Sequence, residues 1–150
     1  MLTWGLQKFG ELKLDESMML SPVGRVESVL TDLADAPNQG DEGAPAARVV
    51  FDTRYSEALA DLVAGADVLL LTWLDRADRG VQSVHPRGDA SRPLTGVFST
   101  RSPDRPNPIG LHRVRVLAID GPVVTVSGLE ALDGTPVVDV KPVLRDAGER

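Results

Sequence analysis

The densest chemistry in the chain lies in sixteen consecutive residues, Gly96-Val97-Phe98-Ser99-Thr100-Arg101-Ser102-Pro103-Asp104-Arg105-Pro106-Asn107-Pro108-Ile109-Gly110-Leu111. Pro103, Pro106 and Pro108 lack N–H donors and hold the chain extended, which excludes helix and inner sheet. The result is a stiff loop presenting Arg101, Arg105 and Asn107 at low entropic cost, as a site for a charged ligand requires. By physics alone, a rigid turn carrying solvated arginines explains these residues equally well. A second string, Ser127 to Pro142, carries Gly128 and Gly134, where backbone can approach a ligand, and Glu130, Asp133, Asp139 and Lys141. Taken alone it reads as a hairpin turn with satisfied aspartates. His85 and His112 stand 27 residues apart with no H-x-x-x-H spacing, so each reads as an ordinary surface or hydrogen-bonding residue and no metal site is expected. The chain has no cysteine, which removes disulfides, thiolate metal sites and a cysteine nucleophile. The glycine signatures of dinucleotide and phosphate loops and the G-x-S-x-G serine elbow are absent, and Arg87-Gly88-Asp89 reads as chance.

Charge is unevenly spread over these motifs. Residues 92–115 hold five arginines against Asp104 alone, a net of +4, while the 150-residue chain is −6 overall. One basic island on an acidic protein points to a local anionic partner such as a phosphate, a carboxylate or part of an RNA, unless the arginines cluster by chance. Hydrophobic residues at 42% and charged residues at 25% describe one globular domain. No apolar run is long enough to span a membrane, and the charged N-terminal residues lack the apolar region of a signal peptide. A cytoplasmic protein with no membrane contact is the expectation.

The elements that must position the motifs follow from punctuation and period. The 14 glycines and 11 prolines fall between short apolar segments, the pattern of an all-β domain. Strands are expected over Pro22–Leu30, Ala47–Asp52, Asp67–Leu74, Thr95–Thr100, Ile109–Ile119, Val123–Leu129 and Val137–Val140. Within Ile109–Ile119, Val114, Val116 and Ala118 share one face and Arg113 and Arg115 the other. Asp120-Gly121 and Asp133-Gly134 mark turns. Thr53 or Ser56 is expected to cap one short helix with Leu59, Leu62 and Val63 on one face and Gly65 closing it. Residues 31–45 and 75–93 read as loops, the latter long and functional in profile. Residues 1–20 form an extension, either upstream of a true start at Met18 or Met19 or carrying an extra strand through Leu12 and Leu14. Residues 21–144 form the domain, and 145–150 a frayed tail.

Together the two strings, Thr-Arg-Ser-Pro-x-Arg-Pro-Asn-Pro-Ile-Gly-Leu from Thr100 and Asp-Gly-Thr-Pro-Val-x-Asp-x-Lys-Pro from Asp133, closely resemble the TsaA-like family, whose characterised members are the TrmO tRNA methyltransferases. The likeness runs over about residues 21–144 and its two motifs are long and specific. It implies a single-sheeted antiparallel β-barrel, here of about seven strands with one short helix, that uses S-adenosylmethionine and forms a homodimer. The implied reaction is methylation at N6 of N6-threonylcarbamoyladenosine beside the anticodon of threonine tRNA. Carried over by position, the resemblance places Asn38, Gln39 and Gly40 in the cofactor loop and Arg76 and Ala77 beside the cofactor. It also assigns Arg101, Leu111, Ser127, Gly128, Leu129 and Glu130 to cofactor binding. The chemistry is sensible: Leu111 and Ser127–Leu129 offer an adenine slot, Arg76 or Arg101 a cation for the methionine carboxylate, and Glu130 an acceptor for ribose hydroxyls. Three departures stand out. Asn38 replaces the arginine of Pro-Arg-Gln, Ala66-Asp67-Val68-Leu69-Leu70 replaces an aromatic strand, and Arg76 stands where histidine is common.

In the methyltransferase reading, an amide-like nitrogen is a poor nucleophile and calls for a base, for which Asp133 is the candidate. Arg105, Asn107 and Lys141 are the candidates for a substrate phosphate or carboxylate. Two alternatives remain at this point: a methyltransferase for a small metabolite, and a non-catalytic module that binds S-adenosylmethionine.

Overall fold

Period-two alternation demands strands with one dry face and one wet face. In the computed structural model, which describes residues 17–145, that demand is met by β1 (Gly24–Glu27), β2 (Ala47–Phe51), β3 (Asp67–Trp73), β4 (Ser83–Val84), β5 (Thr95–Gly96), β6 (Ile109–Asp120), β7 (Val123–Val126) and β8 (Pro136–Pro142). Six of them close into an antiparallel barrel in the order β1-β2-β7-β6-β3-β8, with β8 returning to β1, while β4 and β5 pair outside it. The readings of residues 1–16 and 146–150 lie outside the described residues.

The dry faces meet in one core of Val26, Ala47, Val49, Phe51, Val68, Leu70, Val114, Val116, Val124, Val126, Leu129, Ala131 and Val137. Valine dominates because β-branched side chains suit the pleated surface and fill a small barrel without a polar atom. β3 pairs with β6 on one side and β8 on the other, as its apolar run predicts. The turn glycines behave as expected, with φ of +90° at Gly65, +55° at Gly121 and +82° at Gly134.

Three expectations are corrected. The strand expected over Thr95–Thr100 is two residues long and sits outside the barrel, because Val97–Ser99 turn into a 3-10 helix. The short helix, a 3-10 segment over Thr53–Leu59 broken at Tyr55, is capped by Asp52 rather than Thr53 or Ser56. The Asp52 carboxylate accepts from the Arg54 amide at 2.9 Å, and Leu59 and Leu62 reach the core while Val63 remains exposed. Ala118 does not share the inner face with Val114 and Val116, since the register between β6 and β7 shifts between Val116 and Ala118. Such a bulge places one extra residue on the strand and reverses the facing beyond it.

Candidate functional site

The inner face of β3 and β6 changes character along its length. Val68, Leu70, Val114 and Val116 are apolar, but Thr72 and His112, next on the same faces, are polar and buried. A polar side chain in that position must find partners. Thr72 Oγ1 lies 2.7 Å from His112 Nε2, and His112 Nδ1 lies 2.5 Å from Glu130 Oε1. Gly110, opposite Thr72 in the strand register, makes the chain possible. A Cβ there would stand 2.3 Å from Thr72 Oγ1 and 2.6 Å from His112 Nε2, closer than side chains tolerate.

This polar end opens into a cavity of about 310 Å³, within the range of small-molecule sites, roughly 300–1,000 Å³. Five segments wall it: Leu33 with Ala36 to Gln39, Leu74 to Ala77 after β3, Arg101 to Arg105, Ile109 to His112 at the start of β6, and Glu130 to Leu132 with Thr135. Leu33, Ala36, Leu74, Ile109, Leu111 and Leu132 give it an apolar lining. Arg76 and Arg101 supply exposed cations at its rim, with Asp75 and Asp104 as rim carboxylates, while the largely buried Glu130 adds a carboxylate to the lining. Each rim segment is tied down. Arg76 donates to the Thr31 carbonyl at 3.3 Å and Arg101 to the Leu111 carbonyl at 2.8 Å. The loop before β2 is held twice. Gly40 and Gly128 approach so closely that a Cβ on Gly40 would stand 2.5 Å from the Gly128 carbonyl oxygen. Glu42, in turn, accepts from Arg87 Nη2 at 2.7 Å. That Arg87 hydrogen bond holds the Glu42 carboxyl below the usual carboxylate range.

Of the residues expected at the cofactor, Asn38, Gln39, Arg76, Ala77, Arg101, Leu111 and Glu130 converge on this cavity. Gly40, Ser127, Gly128 and Leu129 do not line it. Leu129 is a core residue, the Ser127 hydroxyl accepts from the Arg115 amide at 2.9 Å, and the two glycines make the close crossing that seats the loop.

The residues expected at the substrate fare differently. Arg105 reaches the cavity, but its guanidinium donates to the carbonyls of Ser102, Val97 and Thr100 at 2.8, 2.6 and 2.5 Å, bracing the proline loop from within. Asn107 accepts from Arg79 Nη2 at 3.1 Å, and Lys141 pairs with Asp139 at 3.3 Å; neither lines the cavity. Asp133, the expected base, lies in a separate open depression with Arg25, Glu27 and Arg48, where its carboxylate accepts from the Ser28 amide at 3.0 Å. The basic island is also dispersed. Arg115 pairs with Asp67 at 3.0 Å, with Arg113 adding to the field at the same carboxylate, and Arg92 pairs with Asp89 at 3.6 Å, so among the described residues only Arg101 brings an exposed cation of the island to the cavity.

His112 was not expected here. The available signal was its place in β6, two residues before Val114 on the inward phase, which put it inside the barrel, where an imidazole needs partners.

The profile of the tRNA-methyltransferase O N-terminal domain family matches residues 25–148. A probable S-adenosyl-L-methionine-binding protein of Methanothermobacter thermautotrophicus is 41% identical over 132 residues, covering 88% of this chain and 94% of that protein. One of the same description from Archaeoglobus fulgidus is 42% identical over 125 residues, which are 83% of this chain but 34% of that larger protein. The crystal structure of TrmO from Pseudomonas aeruginosa superposes with a TM-score of 0.69 at 28% identity, over 93% of this chain and 62% of that one. The chain thus spans about a third of the Archaeoglobus protein and under two thirds of the solved TrmO chain.

Proposed function

Given that the chain belongs to the tRNA-methyltransferase O N-terminal domain family, we propose that it binds S-adenosylmethionine in the cavity at the polar end of the barrel. From there it transfers the methyl group to N6 of N6-threonylcarbamoyladenosine in a tRNA anticodon loop. The observation that carries this reading is the convergence of segments distant in sequence, 33–39, 74–77, 101–105, 109–112 and 130–132, on one cavity of about 310 Å³.

The chemistry of the lining suits the ligand. The apolar segment side chains take the adenine, and the rim cations Arg76 and Arg101 take the methionine carboxylate. The rim carboxylates offset the ammonium and sulfonium charges. Gln39 and the carbonyls of the loop before β2 offer polar partners to the ribose. Methyl transfer from a sulfonium is an in-line displacement, so the protein's main tasks are alignment and exclusion of water. Walls held by the Gly40–Gly128 crossing and the Arg105 brace favour both.

The reading also includes a homodimer. Phe98 and Leu94, 85% and 63% exposed, lie on the excursion leading into the proline loop and are costly to leave in water. Sedimentation at micromolar concentration is expected to give twice the 16.0 kDa chain mass.

Titration calorimetry with S-adenosylmethionine tests the first step. Arg101→Ala removes a charge-assisted contact of roughly 1.5–3 kcal/mol and should weaken binding about ten- to a hundredfold. Unchanged affinity removes Arg101 from the cofactor. For the acceptor, the assay is mass analysis of tRNA before and after incubation with protein and cofactor. A second reading, a module that binds the cofactor without transferring its methyl group, draws on the names of the two relatives above, which specify binding alone. Cofactor affinity with no methylated nucleoside favours that second reading.

A further inference from the structure

We propose that the Glu130 carboxylate is the base of this site, aimed by His112 and, through it, by Thr72. The inference rests on the methyl-transfer reading above and concerns where the acceptor's proton goes. The acceptor nitrogen bears an acyl-type substituent, so its lone pair is delocalised and its N–H must be released as the new bond forms. In the step, the nitrogen pair forms the N–CH3 bond as the S–CH3 bond breaks. The bonding pair stays on sulfur, turning the sulfonium into a neutral thioether. The N–H proton passes to Glu130, from which it leaves through the cavity mouth.

Among the described carboxylates of the cavity, Glu130 alone has the setting for this. Its side chain is 14% exposed, with Oε1 bound by His112 Nδ1 at 2.5 Å and Oε2 without a hydrogen-bond partner among the described residues. Asp104 braces a turn, accepting from the Asp78 amide at 2.9 Å, and Asp75 is exposed at the rim. His112 is 4% exposed in its side chain and cannot rotate away, because Nε2 is engaged by the fully buried Thr72. With the proton on Nδ1, the imidazole donates to Glu130 Oε1 and accepts the Thr72 hydroxyl, so both ring nitrogens and the hydroxyl have partners and Oε2 is left over. The missing Cβ at Gly110 is the space this alignment occupies. The arrangement fixes the carboxylate in the cavity lining with Oε2 toward Gly40 of the loop before β2, and His112 acts as a positioning residue because it works through Glu130.

The test uses the full chain, S-adenosylmethionine and tRNA carrying N6-threonylcarbamoyladenosine, with cofactor affinity and single-turnover methyl transfer measured separately. Glu130→Gln should bind cofactor within about threefold of wild type and lower the transfer rate by roughly 10²–10⁴-fold, the range for loss of a general base. His112→Leu should lower kcat with KM for tRNA nearly unchanged. His112→Asn, which restores a donor near the Nδ1 position, should recover much of that loss. Glu130→Gln that loses cofactor affinity tenfold while transferring at the wild-type rate from the bound state places the carboxylate on the ribose and overturns the proposal. Equal loss in both histidine variants overturns the positioning role. A wild-type chain that binds cofactor but methylates no tRNA fails the underlying reading, and the base with it. An active wild type with an equally active Glu130→Gln fails the base alone.

Discussion

At one end of β3 and β6 the barrel interior is Val68, Leu70, Val114 and Val116; one inward step further along the same strands it is Thr72, Gly110 and His112. Backbone geometry and sheet pairing are continuous across the change, so the difference lies wholly in the side chains. The first end lowers the free energy of folding by removing branched hydrocarbon from water. The second buries an imidazole and a hydroxyl, whose net contribution to folding is small even when fully hydrogen-bonded. A barrel that keeps such a group at one end and opens there into a cavity has placed its chemistry where its core ends. Proteins accept such local departures from an apolar core at functional sites.

Three substitutions break or sharpen this division, in decreasing order of effect. Leu70→Ala should cost about 2–5 kcal/mol of stability by denaturant unfolding, through lost burial and a cavity. Measured well below its melting point, its cofactor affinity should stay close to wild type. A loss of affinity matching the loss of stability would show that the two ends are coupled. Thr72→Val keeps the shape but leaves a buried His112 nitrogen unpaired, and should cost roughly 1–3 kcal/mol while also slowing methyl transfer. A fully active Thr72→Val separates the hydroxyl from the chemistry. Asp67→Asn, on the outer face of β3, should have the smallest effect and one that depends on pH. The Arg115 hydrogen bond holds the Asp67 carboxyl below its ordinary value, so its stabilisation is present above the unfolded-state value and is lost as pH falls through the lowered one. Thermal midpoints of the wild type and the variant should therefore differ near neutrality and converge as the pH is lowered through the depressed Asp67 value. A gap that persists in acid removes the ion pair as its cause.

The second comparison is between the two strings that the sequence singles out. In the proline string the restricted backbone was legible, because a missing N–H and a fixed φ are local properties of proline. The role of Arg105 was not legible. Its three carbonyl partners become adjacent only when Val97–Ser99 turn and the loop doubles back. In the string from Ser127, the turn at Gly134 was legible, but which of its carboxylates lines the cavity was not. Asp133, the candidate base, accepts from the Ser28 amide, 105 residues away in sequence, and lies outside the cavity. Glu130 meets His112, 18 residues away, a hydrogen-bonding histidine whose partner the spacing does not name.

By itself the sequence determined the all-β class, all six barrel strands to within three residues at either end, and the turns at Gly65, Gly121 and Gly134. These follow from period-two alternation, from proline and glycine stereochemistry and from two long motifs, all of which act over a few neighbouring residues. Only the closed barrel decided which polar groups meet. Thr72 and His112 are 40 residues apart, and His112 and Glu130 are 18 apart. Ring closure brings them within hydrogen-bond distance because the pairing of β3 with β6 sets Thr72 opposite Gly110, and the absence of a side chain there leaves His112 room to reach across.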